Sequence, residues 1–249
     1  MKLIKVKFFA MLLHLLISII IVGLFFSVVK YSWYPEIYYE LENVWEGIRI
    51  LVFVDFVLGP LLTFIIFAPR KKNLRFDLAA IASFQLIALL YGGHLVYQQR
   101  PAILVFAIDR FEVLKASDEV VQSLPNSYFG NQSFKYPVLS YALPPSSKKE
   151  NSDNILNNIQ FHKIANRHRP LDNYIEKLVE QSLEISFFTP KYPTSKSSLV
   201  EFVRKFSNKN YILLPIQGTT EEAKVIGIDR ATLSVLGYID IDPWTEFKK

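Results

Sequence analysis

Residues 48–72 read IRILVFVDFVLGPLLTFIIFAPRKK. From 48 to 68 the run is apolar apart from Arg49 at its start, with Asp55 and Thr63 as the polar residues of its interior, and it contains a Gly59-Pro60 pair. Pro69, Arg70, Lys71 and Lys72 stop it. At ~1.5 Å rise per residue, about 20 apolar residues match the hydrocarbon core of a bilayer. A helix at the surface of a water-soluble protein would carry a polar stripe, and this run has none. It is predicted to span a membrane. A carboxyl at such depth costs about 2.5–3.5 kcal/mol on insertion scales, so Asp55 must be paired, protonated or turned into a bundle.

Working outward, Lys2, Lys5 and Lys7 precede a second apolar run over about 8–29. It is too long for the core of a signal peptide and has no small-x-small cleavage pattern, so it reads as an uncleaved anchor. A third span is predicted over about 78–97, with Asp77 as its N-cap. Residues 1–100 thus form a three-helix transmembrane region. The 69–77 turn holds Arg70, Lys71, Lys72 and Arg75, whereas the 30–47 loop holds Lys30 against Glu36, Glu40, Glu42 and Glu46. The positive-inside rule places the N-terminus and the 69–77 turn in the cytoplasm and residues 101–249 outside it, in the periplasm of a bacterium.

The 30–47 loop is rich in aromatic residues, among them Trp33, Tyr34 and Trp45. Such rings form interfacial belts in membranes and also dominate protein-binding hot spots, so these three are partner-binding candidates. Counting residues along the spans gives two polar layers. Asp55 lies roughly 10 Å below the outer boundary, at the depth of Tyr91 and His94. His14, Thr63 and Gln85 lie roughly 8–10 Å above the inner one. Asp55, Tyr91 and His94 are therefore expected to form an intramembrane polar contact. Pro60 cannot donate to the Phe56 carbonyl, which predicts a kink next to Asp55.

Beyond Arg100 the pattern changes. Strands are predicted over 102–108 and 111–115 with a turn at Asp109-Arg110, then a short helix over 117–123 capped by Ser117. Residues 125–137 read as loop, 138–143 as a brief strand, and 146–154 (SSKKENSDN) as a solvated, mobile excursion. Helices are expected at 153–166, at 171–183 capped by Asp172, and at 195–207 capped by Ser195 or Ser197-Ser198. Runs at 211–217, 223–229 and 234–241 predict a C-terminal antiparallel β meander, with Pro215 marking an edge strand or bulge. The expected architecture is three transmembrane α-helices followed by an extracytoplasmic α+β domain, residues 101–249.

The chemistry is sparse. Residues 1–100 hold 10 Lys and Arg against 6 Asp and Glu, and residues 101–249 hold 18 against 17. The high isoelectric point thus reflects cations flanking the spans, and the larger part lacks the basic face that nucleic acid requires. Cysteine is absent, which excludes disulfides and thiol chemistry. His162 and His168 are six residues apart with no acid between them, which is not a metal spacing. No nucleophile elbow, phosphate loop or zinc-protease motif occurs. Neither an enzyme, a cofactor nor a metal is expected.

Several blocks resemble the TfpX/TfpZ-type type IV pilin accessory proteins. They are Trp33-Tyr34-Pro35, the stretch VDFVLGPLLT at 54–63, RFDL at 75–78, VYQQRP at 96–101, VFAIDRFEV at 105–113, and Asp242-Pro243-Trp244. The resemblance implies an inner-membrane protein that supports type IV pilus assembly or dynamics with a major pilin or the assembly machinery as partner. It also makes Asp109, Arg110 and Glu112 partner-binding candidates, and it supplies no catalytic residue. The alternative is a membrane-anchored periplasmic ligand sensor acting through a partner.

Overall fold

The computed structural model describes residues 2–125, 128, 137–185, 193–220 and 222–244. The chain divides into two compact units, Met1–Arg100 and Pro101–Lys249. The expected 125–137 loop and the far end of the chain lie largely outside the described residues.

The first unit contains three helices long and apolar enough to cross a membrane: Leu3–Trp33, Val44–Ile66 and Leu74–Gln98. The first and third overrun their expected spans at both ends, and the second starts four residues before its expected span and stops two residues short of its end. Asn73, not Asp77, occupies the N-cap of the third helix. Asp77 sits in its first turn, where a negative charge is favoured by the positive end of the helix dipole, and pairs with Lys71 Nζ at 2.5 Å.

The second helix meets its proline in an unexpected way. Val44–Phe53 is α-helical, Val54–Leu58 is a π-helical turn, and Gly59–Ile66 is α-helical again. The π turn closes with the Gly59 N–H on the Val54 carbonyl, one residue wider than an α bond. The expected kink is thus taken up by an inserted wide turn, which holds Asp55. The first helix ends in a similar turn, Val29–Trp33. The aromatic loop that follows folds inward as well as outward. Tyr34 and Tyr38 are buried, and the Tyr34 hydroxyl donates to the Val96 carbonyl at 2.8 Å.

The second unit is built on one seven-stranded sheet, in the order β4-β3-β1-β2-β5-β6-β7. Its strands are β1 Pro101–Ala107, β2 Arg110–Lys115, β3 Val138–Ala142, β4 His168–Pro170, β5 Tyr211–Gln217, β6 Ala223–Asp229 and β7 Val235–Ile239. The predicted meander β5-β6-β7 is antiparallel, but the sheet is mixed, since β1 pairs parallel with β3 and β2 parallel with β5. The helix Pro193–Lys205 packs Leu199 and Phe202 against Leu213, Val225 and Ile239. The helix Glu119–Ser123 packs Val120 and Val121 on Ile103, Val105 and Leu114. On the other parity of the sheet, Phe106 meets Phe111 and Tyr141, and Tyr141 stacks on Tyr174 with ring centres 4.1 Å apart. Both faces are covered, which is why β1 and the interior of β5 are apolar runs rather than alternating ones, and why β6 is buried along its whole length, Lys224 and Asp229 included.

Pro215 is not at an edge. It pairs with Val225 in the middle of the sheet, but the ladder from β2 reaches β5 only at Ile216 and Gln217, so Pro215 has a strand neighbour on one side alone. The helix boundaries also differ from expectation. Asp118 replaces Ser117 as the cap of Glu119–Ser123, and Tyr174 replaces Asp172 ahead of Ile175–Glu180. Ser195, Ser197 and Ser198 lie inside Pro193–Lys205, not before it. Residues 146–154 are not a loose excursion: Lys148–Leu156 is a helix capped by Ser147, whose hydroxyl accepts from the Glu150 N–H at 3.1 Å. The expected helix at 153–166 is instead the end of that one followed by 3-10 turns at Phe161–Lys163 and Ala165–Arg167.

Candidate functional site

The polar residues of the three spans converge, though not in the predicted layers. The Thr63 hydroxyl lies 2.7 Å from His14 Nδ1, His14 Nε2 lies 2.8 Å from Gln85 Oε1, and Gln85 Nε2 donates to Asp55 Oδ1 at 2.9 Å. Chemistry fixes the direction of this chain. An amide oxygen only accepts, so His14 Nε2 carries the proton and donates to Gln85. In the neutral ring Nδ1 then accepts from the Thr63 hydroxyl, and the network runs Thr63 to His14 to Gln85 to Asp55. Asp55, Thr63 and Gln85 are buried, at 6%, 3% and 8% exposure. The four residues come from all three long helices, and the relay ties them together over about 12 Å of the second helix, from Thr63 to Asp55.

Gly59 makes this meeting possible. A Cβ there would stand 2.2 Å from Gln85 Nε2 and 2.9 Å from His14 Nε2. The Gly59-Pro60 pair that marked the sequence thus does two jobs. Glycine admits the amide of Gln85, and proline goes with the wide turn that carries Asp55.

Tyr91 and His94 do not join Asp55. Both are exposed on the outer side of the third helix, Tyr91 at 67%, whereas Ile81, Gln85, Gly93 and Val96 form its inner stripe. Of the aromatic candidates, Trp33 packs edge-to-face on Phe25 and Tyr97 and Tyr34 is inside the unit, while Trp45 is exposed at 49%. Thr63, His14 and Gln85, placed in a separate layer by depth counting, are the partners that reasoning missed. Their common depth was legible, and the side on which each helix faces its neighbours was not.

In the second unit, Asp109, Arg110 and Glu112 sit on the β1–β2 hairpin with a distant partner. Arg110 Nε donates to Asp109 Oδ1 at 2.8 Å and Nη1 to Gln217 Oε1 at 3.1 Å. Its guanidinium lies 4.7 Å over the Trp244 ring. Two sequence blocks more than 130 residues apart therefore meet at one cation–π contact. Burial pushes the Glu112 carboxyl up to about 7, with the nearby Arg110 and Lys163 charges pulling the other way and Asp109 adding to the rise. Ile108, at the hairpin tip, is 63% exposed with a φ of 65°, a left-handed conformation that costs a β-branched residue dearly.

A Ser–His contact also occurs. Ser140 Oγ is 3.0 Å from His168 Nδ1, His168 Nε2 donates to the His162 carbonyl at 2.8 Å, and Tyr128 lies 2.6 Å from Ser140. The pair has the spacing of a nucleophile and its base. However, Ser140 and His168 are 0% and 4% exposed, so the contact joins β3 to β4 rather than meeting a substrate. Burial lowers both imidazoles, His162 to about 4, and keeps them neutral. Among the described residues no cluster of His, Asp or Glu is arranged to hold a metal.

Comparison with known proteins gives these sites a context. No family model matches the chain, and no solved structure matches it. It is 32% identical over 126 residues to the serogroup I fimbrial assembly protein of Dichelobacter nodosus, which is half of this chain and 49% of that protein. The serogroup E1 protein of the same organism matches at 31% over a similar share. The chain thus spans about half the length of these two relatives. It is also 31% identical over 117 residues to the fimbrial assembly protein of serogroups C1 and C2, covering 89% of that protein and 46% of this chain. With nearly all of one such protein matched, the chain belongs to the family of these fimbrial assembly proteins.

Proposed function

We propose that the protein is a non-enzymatic accessory factor of type IV pilus assembly in the bacterial inner membrane. Its membrane helices and its periplasmic unit each contact the major pilin or the assembly platform. The observation that carries this reading is the 31% identity over 89% of a fimbrial assembly protein. Three helices of spanning length support the membrane placement, and the cation bias of the flanking turns supports a cytoplasmic N-terminus. Two contacts on one chain reinforce each other through effective concentration, so each can be weak.

Deletion of the gene tests the reading. Surface pili are expected to fall sharply while the pilin is still made and inserted, with recovery on complementation. Wild-type piliation and pilus dynamics in the deletion strain would end the proposal.

A further inference from the structure

The first and third long helices both pack on the second, and between them runs a cleft of about 350 Å³. One wall is the stripe Leu13, Ile17 and Ile21 of the first helix, and the other is Leu78, Ala82 and Leu89 of the third. The lining extends from Ala10 to Ile21 on one side and from Leu78 to Leu89 on the other, so both walls are ~16 Å long, about three turns. Asp55 and Thr63 of the second helix form the floor, crossed by the His14–Gln85 hydrogen bond.

We infer that this cleft is the docking site for a transmembrane helix of a partner protein that carries a hydrogen-bond donor within its apolar span. The inference rests on the proposed role in assembly and names the surface that performs it. Shape is the first argument. Two helical stripes of equal length receive a rod, and the small residues Ala10, Ser18 and Ala82 let another backbone come close. Chemistry is the second. The network spends its N–H donors inward and ends on Asp55, whose Oδ1 is taken by Gln85. Among the described residues no donor reaches Asp55 Oδ2, so the floor offers an acceptor and asks for a donor. A carboxylate left with one hydrogen bond in hydrocarbon is costly, and a lipid acyl chain has nothing to give it. A donor-bearing helix satisfies the floor and the walls together.

The test places a photo-crosslinking residue at Ile17, inside the cleft, or at Leu24, exposed and outside it, in the full chain in membranes of piliated cells. Ile17 is expected to yield an adduct with a transmembrane segment of another protein that holds a polar donor, and Leu24 is not. Ala82→Leu fills the cleft without touching the network and should reduce the adduct roughly tenfold, a loss of about 1.4 kcal/mol in contact, at unchanged membrane level. Asp55→Leu should do the same from the floor. Adducts with lipid alone, equal adducts from both positions, or an adduct indifferent to Ala82→Leu would each overturn the inference. The two proposals separate cleanly. Loss of pili on deletion with no helix adduct keeps the function and refutes the cleft, while a helix adduct with normal piliation on deletion refutes the function.

Discussion

Gly59 shows how one missing side chain can decide the sign of a substitution. In a helix interior, Gly→Ala ordinarily stabilises by about 1 kcal/mol. At Gly23 a Cβ would meet nothing within 4 Å, so Gly23→Ala is expected to follow that rule. At Gly59 the Cβ would stand 2.2 Å from the Gln85 amide, and the bond to Asp55 must break or shift. Leaving a buried polar group without its hydrogen bond costs about 1–3 kcal/mol. Gly59→Ala is therefore expected to lower the unfolding temperature in detergent micelles while Gly23→Ala raises it. Equal shifts of the same sign would deny the network its role. Glu112 gives a second test, through pH. Its carboxyl rises from an ordinary 4.5 to about 7 on folding, because burial disfavours the charge. A raised pKa contributes stability below pH 4.5, and that contribution is lost as pH climbs through 7. Glu112→Gln should hence match the wild type near pH 5 and exceed it at pH 8 by about 1–3 kcal/mol in urea unfolding, given 1.36 kcal/mol per unit and some solvent screening. A variant weaker than wild type at pH 8 would show that the ionised form, held by Arg110, is the favoured one.

Elements were legible wherever one signal dominated. Three apolar runs announced the long helices, and the runs at 211–217 and 223–229 announced β5 and β6 almost to the residue. Contacts between elements were less so. Depth along a span follows from the rise per residue, which is why His14, Thr63 and Gln85 fell into one layer. Azimuth does not, and the inserted π turn at Val54–Leu58 also shifts every residue after it around the axis. The layers themselves were also bridged, since the long Gln85 side chain and the His14 ring span the roughly 12 Å between Asp55 and Thr63, so Asp55 meets Gln85 rather than Tyr91 or His94. The helix Lys148–Leu156 was hidden for another reason. It buries no side chain, so it leaves no apolar periodicity to read. Its signature was instead a capping box, Ser147 followed three residues later by Glu150, whose carboxylate also accepts from the Ser146 N–H at 2.7 Å. Arg167 then holds the helix start, pairing with Glu150 and donating to the Leu143 and Pro144 carbonyls at 3.1 and 3.0 Å. Mixed pairing in the sheet was similarly invisible, because β2 joins β5 across nearly a hundred intervening residues.

At the scale of the whole molecule, function depends on which side of a membrane each unit meets its partners. The turn between the second and third helices carries Arg70, Lys71, Lys72 and Arg75, against Lys30 and Arg49 at the ends of the glutamate-rich 30–47 loop, where Arg49 pairs with Glu46. Translocating four cations is opposed more strongly than translocating two, one of them paired with an acid, so the 69–77 turn is expected to stay in the cytoplasm. With three spanning helices, residues 101–249 then lie on the opposite side. The absence of cysteine from the sequence makes this measurable with single introduced thiols. Tyr31, at 71% exposure, and Ile155, at 72%, report the loop and the second unit, and the exposed Lys72 reports the turn. In intact cells with a permeabilised outer membrane, an impermeant maleimide should label Tyr31→Cys and Ile155→Cys, and should reach Lys72→Cys only after lysis. Labelling of Lys72→Cys alone in intact cells would invert the protein. The β1–β2 hairpin and the Arg110–Trp244 contact of the second unit would then face the cytoplasm, and the periplasmic half of the proposed function would fall.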